Sequence, residues 1–183
     1  MLLRRDVLIA EENDDIFGKG PMDFIHCPVR QRLCEIKALD LCADDRGEFV
    51  DTDRFINMPI VKQHSLSRCT IGMKNLFGII GGRRNQLHQQ IDQALVDLAV
   101  FCKPTLTVID ATHVLLRGGP TGGSLDDVAV ENSVICATDL VAADSRACEF
   151  LGLKGDGVEH IVLAAQSGLG NIDYRAAGYL EVA

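Results

Sequence analysis

Apolar residues at Leu87, Ile91, Ala94, Leu95, Leu98 and Ala99 recur at i, i+4, i+7, i+8, i+11 and i+12. That spacing predicts an amphipathic helix with one buried stripe. Lys103-Pro104 ends it, because proline cannot continue a helix. Upstream, DVLIA (6–10) reads as a short strand. Residues 11–30 are polar, hold Gly18, Gly20, Pro21 and Pro28, and read as loop. VRQRLCEIKALDLC (29–42) carries apolar residues at both helix and strand spacings and stays open between the two. RFINMPIVK (54–62) is apolar and β-branched enough for a strand, with Pro59 near its end or at a bulge. Ser65 or Ser67 is placed to cap a following helix that runs to about Phe77 and stops at Gly78.

Downstream, TLTVID (105–110) reads as a buried strand closed by an aspartate, and VLLRGGPTGGSLDD (114–127) as a glycine-rich loop after a short extended piece. NSVICAT (132–138) reads as another buried strand. Thr138 or Asp139 is placed to cap the helix LVAADSRACEFLG, which ends at Gly152. Asp156 is placed to cap a second helix, VEHIVLAAQS, ending at Gly168, and YLEV (179–182) reads as a last strand. Strands alternating with helices predict an α/β fold, a single domain with a largely parallel or mixed sheet and flanking helices. Residues 1–53 form a partly irregular N-terminal segment in this reading, and 54–183 the α/β core.

Composition narrows the class. With 183 residues, 47% of them hydrophobic, the chain can bury one real core, and 24% charged residues argue against general disorder. The longest apolar runs, such as VLIA at 7–10, are too short to span a bilayer. MLLRRD followed at once by the acidic EENDD fits neither a signal nor a transit peptide. The expectation is a cytoplasmic protein with no membrane contact. Seven cysteines, an odd number without C-x-x-C spacing, fit reduced thiols better than a disulfide framework. Cys27, Cys34 and Cys42 match no zinc or iron–sulfur spacing, and any metal stays unassigned.

Charge changes the picture more. The stretch Arg54 to Ile91 holds six Lys or Arg and two of the five histidines, but no Asp or Glu. Taking those six from the chain's 18 basic residues leaves 12 against all 26 acids. Such segregation favours an anion. Lys62 and His64 lie two apart at a strand end and so share a face. A following helix would add positive potential from its amides and carry Lys74 beside Asn75. Asp110, at a strand end where α/β proteins gather ligands, is a candidate for orienting a base or holding a cation. Asp144 follows one turn after Asp139, for which helix capping is an equal explanation. GGPTGG (118–123) allows close approach of backbone amides, with Thr121 as donor, but is not a Walker loop. No G-x-S-x-G elbow exists, and Cys69 near His64 is a minor nucleophile candidate.

FINMPIVKQHSLSRCTIGMKNLFGII, RRNQLH, LTVIDAT, LLRGGPTGG, ATDLVAADSRACEFLG and HIVLAAQSGLGNID occur in this order. Together they resemble the domain-of-unknown-function family three-six-two, from about Arg54 to the C-terminus. The family's members often carry iron–sulfur or ferredoxin-linked names. The resemblance puts the family's N-x-P-x-x-K-x-H segment on Asn57, Pro59, Lys62 and His64, and its G-x-K-N-L-F-G segment on Gly72 to Gly78. It puts the family's aspartates on Asp110, Asp139 and Asp144. Members usually carry a longer stretch before this region, with a lysine–proline–asparagine strand motif. That motif and a four-cysteine ferredoxin insert are missing here, so the iron–sulfur label does not carry over.

The reading is then an enzyme or enzyme-derived domain for a small anionic metabolite or cofactor of unknown identity. His64 is the proton-transfer group, Lys74 the charge stabiliser and Asp110 the third catalytic candidate. Asn57, Lys62, Arg68, Asn75, Thr121 and Asp144 are the ligand-binding candidates. The rival is a non-catalytic metal or iron–sulfur-linked electron-transfer protein. Nucleic acid is disfavoured, because Phe55 and Phe77 are the basic run's only aromatics and both read as buried. A homodimer covering an exposed sheet edge completes the expectations.

Overall fold

The computed structural model describes residues 7–10, 54–80, 84–122 and 124–182. The loop reading of 11–30, the open segment 29–42 and Cys27, Cys34 and Cys42 lie outside the described residues. The architecture is α/β, with a mixed sheet flanked by helices.

The sheet is organised by one long strand. β1 is Val7–Ala10, β2 Arg54–Asn57, β3 Ile60–His64, β4 Arg68–Thr70, β5 Leu106–Leu115 and β6 Val128–Ala137. β2 and β3 lie in succession along one edge of β5, both parallel to it, while β6 runs antiparallel to β5 from Thr107 to Leu115. β1 pairs with β2, and β4 with β3. The predicted strand 54–62 is thus two strands, and Pro59 is the reason. It has no N–H for a ladder, yet its carbonyl still accepts from the Asp110 amide at 2.8 Å.

Four helices follow in chain order: α1 Gly72–Asn75, α2 Ile91–Cys102, α3 Leu140–Cys148 and α4 Glu159–Gln166. Ile91, Ala94, Leu95, Leu98 and Ala99 are all buried, so the apolar stripe is the face α2 turns to the core, and Leu87, also buried, precedes it in a 3-10 segment at Arg84–Gln90. Lys103 in the left-handed region and Pro104 close that helix. Asp139 caps α3 by accepting from the Ala142 amide at 2.9 Å, and Gly152, at φ 68°, ends the segment that follows it. β5 buries Thr107, Ile109, Ala111 and Val114 towards the helices. Ile60, Asp110 and Val134 stand in register on three neighbouring strands and are exposed.

Several sequence expectations change. β6, expected to be a buried strand at 132–138, has no fully buried residue and leaves Asn132, Val134 and Cys136 exposed. Residues 65–67 do not begin a helix: they are a three-residue hairpin turn into β4, closed by Arg68 at φ 66°. Only Gly72–Asn75 is α-helical, followed by a 3-10 turn at Leu76–Ile79. β5 runs through Thr112 and His113 to Leu115, so Asp110 is mid-strand rather than at a strand end. Asp156 sits in a 3-10 turn and caps nothing, since α4 starts after Val158 without a side-chain cap. Tyr179–Val182 is not a strand.

α1 is too short to persist on its own. It is held by Asp144 of α3, which accepts from the Gly72 amide at 2.8 Å and the Met73 amide at 2.9 Å. Asp144 is fully buried, and that burial raises its carboxyl to about 6 against the pull of the two amides. The folded chain therefore binds this proton more tightly than the unfolded chain. The resulting stabilisation is complete below the ordinary aspartate range and is lost as pH rises through about 6. Comparing urea melts of the wild type with Asp144→Asn, which does not titrate, isolates the effect. The wild type's stability relative to the variant should fall by up to roughly 3 kcal/mol between pH 4 and pH 7. A difference that is flat, or that grows with pH, contradicts this assignment.

Candidate functional site

Two lysines and two histidines of the acid-free stretch converge where β3, β4 and α1 meet. Lys62 and His64 project from β3, and the β3–β4 register sets Thr70 directly opposite Lys62. α1 contributes Lys74 and Asn75, the next turn Phe77 and Gly78, and the 3-10 segment before α2 contributes Asn85 and His88. Pro120 and Thr121, from the glycine-rich loop after β5, also line it. These residues line an open cavity of about 510 Å³.

The loop reaches the cavity because Gly119 lies flat on β3. Its amide donates to Gln63 Oε1 at 2.9 Å, and a Cβ there would stand 1.7 Å from the Gln63 carbonyl oxygen. Only glycine fits so close an approach. Gly118 and Gly122 both take positive φ, and the Gly122 amide closes the turn onto the Gly118 carbonyl at 2.9 Å.

Two lysines and two histidines line the cavity, and among the described residues no acidic side chain does. Lys74 Nζ lies 4.3 Å from the centroid of the Phe77 ring, whose edge meets His88 with centroids 5.0 Å apart. That contact fixes the ammonium group beside the cavity. His64 is nearly buried, and its Nδ1 accepts from the backbone amides of Leu66 and Ser67 at 3.0 and 3.3 Å. With two N–H groups aimed at it, Nδ1 holds no hydrogen, so the neutral ring carries its hydrogen on Nε2. The hairpin that replaced the expected helix thus sets the histidine's tautomer. Buried Asn57 donates to the Gly72 carbonyl at 2.9 Å and accepts from Asn75 Nδ2 at 2.7 Å. Thr70 is buried, and its hydroxyl has no hydrogen-bond partner.

Of the residues singled out from sequence, the cavity gathers Lys62, His64, Lys74, Asn75 and Thr121. Asn57 stands behind Asn75 rather than on the wall. Arg68 reaches away to the Gly157 carbonyl. Asp110 is exposed and accepts from the amide and hydroxyl of Thr112 at 2.8 and 2.7 Å. Asp144 has both oxygens committed to α1. Neither Asp110 nor Asp144 therefore faces the lysines across the cavity. Cys69 is fully buried with its Sγ 4.0 Å from Cys148 Sγ, and the contact with Cys148, together with burial, raises its pKa well above the usual thiol range. It remains a thiol, and the nucleophile idea lapses. Among the described residues no cluster of three His, Cys, Asp or Glu is placed to hold a metal ion. Sequence reasoning missed Thr70, Phe77, Asn85, His88 and Pro120 as wall residues. The acid-free stretch was a signal for His88, whereas Thr70 needed the hairpin register.

The loop contact is testable. Gly119→Ala should lift the loop from β3 at a cost of about 1–3 kcal/mol in stability, and should speed tryptic cleavage after Arg117. A variant with the wild-type melting temperature and cleavage rate would contradict the close approach.

Comparison with known proteins adds the family. A thylakoid-associated protein of Synechocystis sp. (strain ATCC 27184 / PCC 6803 / Kazusa) is 29% identical over 131 residues, covering 67% of this chain and 39% of that protein. The chain thus spans well under half the length of this relative. No solved structure matches. Among the described residues no helix is long and apolar enough to cross a membrane. The model of the family described as Domain of unknown function (DUF362) matches residues 21–149, starting earlier than the motifs suggested and stopping before the C-terminal helix. The chain belongs to the DUF362 family.

Proposed function

We propose that the cavity between β3, α1 and the glycine-rich loop binds a small anionic metabolite or cofactor, and that the chain is an enzyme or enzyme-derived domain. The observation that carries this reading is the wall itself, with Lys62 and Lys74 on a cavity that no described acid lines. Lysine ammonium groups on one wall raise the local potential and favour a ligand of negative charge.

The roles follow from hydrogen-bonding capacity. Lys62 and Lys74 have donors only and supply charge. His64, with its hydrogen on Nε2, serves as a donor or general acid towards charge developing on the ligand rather than as a base at that nitrogen. Asn75 is oriented by Asn57, and Thr121 rides on the loop pinned by Gly119. Asp110 and Asp144 drop out of the reading, because neither lines the cavity.

Calorimetric titration with a panel of small mono- and dianions tests it. At least one should bind, and Lys62→Ala and Lys74→Ala should each weaken it tenfold or more while the far-ultraviolet circular dichroism is unchanged. Variants that bind every anion as the wild type does would sink the proposal.

A further inference from the structure

Two thiols meet in the core, behind the cavity rather than on its wall. Cys69 of β4 and Cys148 at the end of α3 are both free and fully buried, with their sulfurs 4.0 Å apart. They stand 79 positions apart in the chain, so the tertiary fold alone brings them together. We infer that Cys69 and Cys148 are a redox pair, closing to a reversible disulfide that ties β4 to α3.

The pair is placed where such a bond has consequences. Cys69 adjoins Thr70, which lines the cavity. Cys148 lies one helical turn beyond Asp144, the carboxylate that holds α1. A bond between them therefore joins the strand that carries part of the wall to the helix that fixes α1. To form it, the sulfurs close by about 2 Å, a distance that side-chain rotation and small backbone shifts cover.

The oxidant is a small-molecule disulfide, and the step is an exchange. One cysteine loses its proton to solvent, and its thiolate attacks a sulfur of the reagent. The reagent's S–S bond breaks and one small thiol leaves. The second cysteine, likewise deprotonated, attacks the mixed disulfide. The Cys69–Cys148 bond forms and a second small thiol leaves. The pair gives up two electrons and two protons, and the reagent takes up both. The hydrogen bond with Cys148, together with burial, holds the Cys69 thiol well above the usual range. The pair thus rests reduced at neutral pH, and exchange quickens as pH rises.

Peptide mapping tests the pair. The folded full chain is held with oxidised glutathione at mildly alkaline pH, then unfolded, alkylated and digested with trypsin. Cleavage after Arg68, Lys74, Arg146 and Lys154 releases Cys69 in residues 69–74 and Cys148 in residues 147–154. These two peptides should be recovered joined, and dithiothreitol should separate them. Exposed Cys136 reports that the reagent is active. The bridged chain should also melt several degrees higher than the same sample after reduction, because the bond closes a long loop. Recovery of both peptides alkylated while Cys136 carries glutathione overturns the proposal. So does a bridge that forms only in urea, or one that lowers the melting temperature.

Discussion

One buried carboxylate organises the region that matters here. Asp144 sits without solvent contact and uses both oxygens on the first two amides of a four-residue helix. A helix of that length has no stability of its own, because nucleation costs more than its single turn returns. What holds it is tertiary: Asp144 at its start and Asn57 on the Gly72 carbonyl. Gly72 is part of the same constraint, since a Cβ there would lie 2.6 Å from Asp144 Oδ1 and from Leu140 Cδ1. This tie sets where α1 starts, and so the position from which Lys74 and Asn75 reach the cavity.

The charge pattern acquires its meaning through that tie. Lys62, His64, Lys74 and His88 are spread over 27 positions of an acid-free stretch, and two strands, a hairpin and a helical turn bring them to one wall. An acid in that stretch would stand close to the cavity and lower its potential. Two of the described acids serve elsewhere as fasteners: Asp139 pins the α3 start to the Asn171 amide, and Asp127 pairs with Arg117 at the base of the glycine-rich loop.

What the sequence revealed follows from which signals were local. The α2 stripe, the left-handed exit at Lys103 and the Asp139 cap are decided by a few neighbouring residues, and each was legible. The hairpin at 65–67 was not, because its closing left-handed position is an arginine, and no glycine or asparagine advertised the turn. The length of β5 was hidden for a related reason. Thr112 and His113 pass through a shift in the β5–β6 register, which breaks the alternation that marks a strand. At the site, Lys62, His64, Lys74 and Asn75 were legible from charge and spacing. Thr70 and Pro120 were not, because pairing register and a glycine pressed against Gln63 bring them in.

The central claim is electrostatic, and a monatomic anion tests it with no demand on ligand shape. Crystals soaked briefly in bromide and measured at its absorption edge would locate bound anions directly. The strongest anomalous peak should fall inside the cavity, beside Lys62 and Lys74. Bromide sites confined to other surfaces, with that wall empty, would contradict the account.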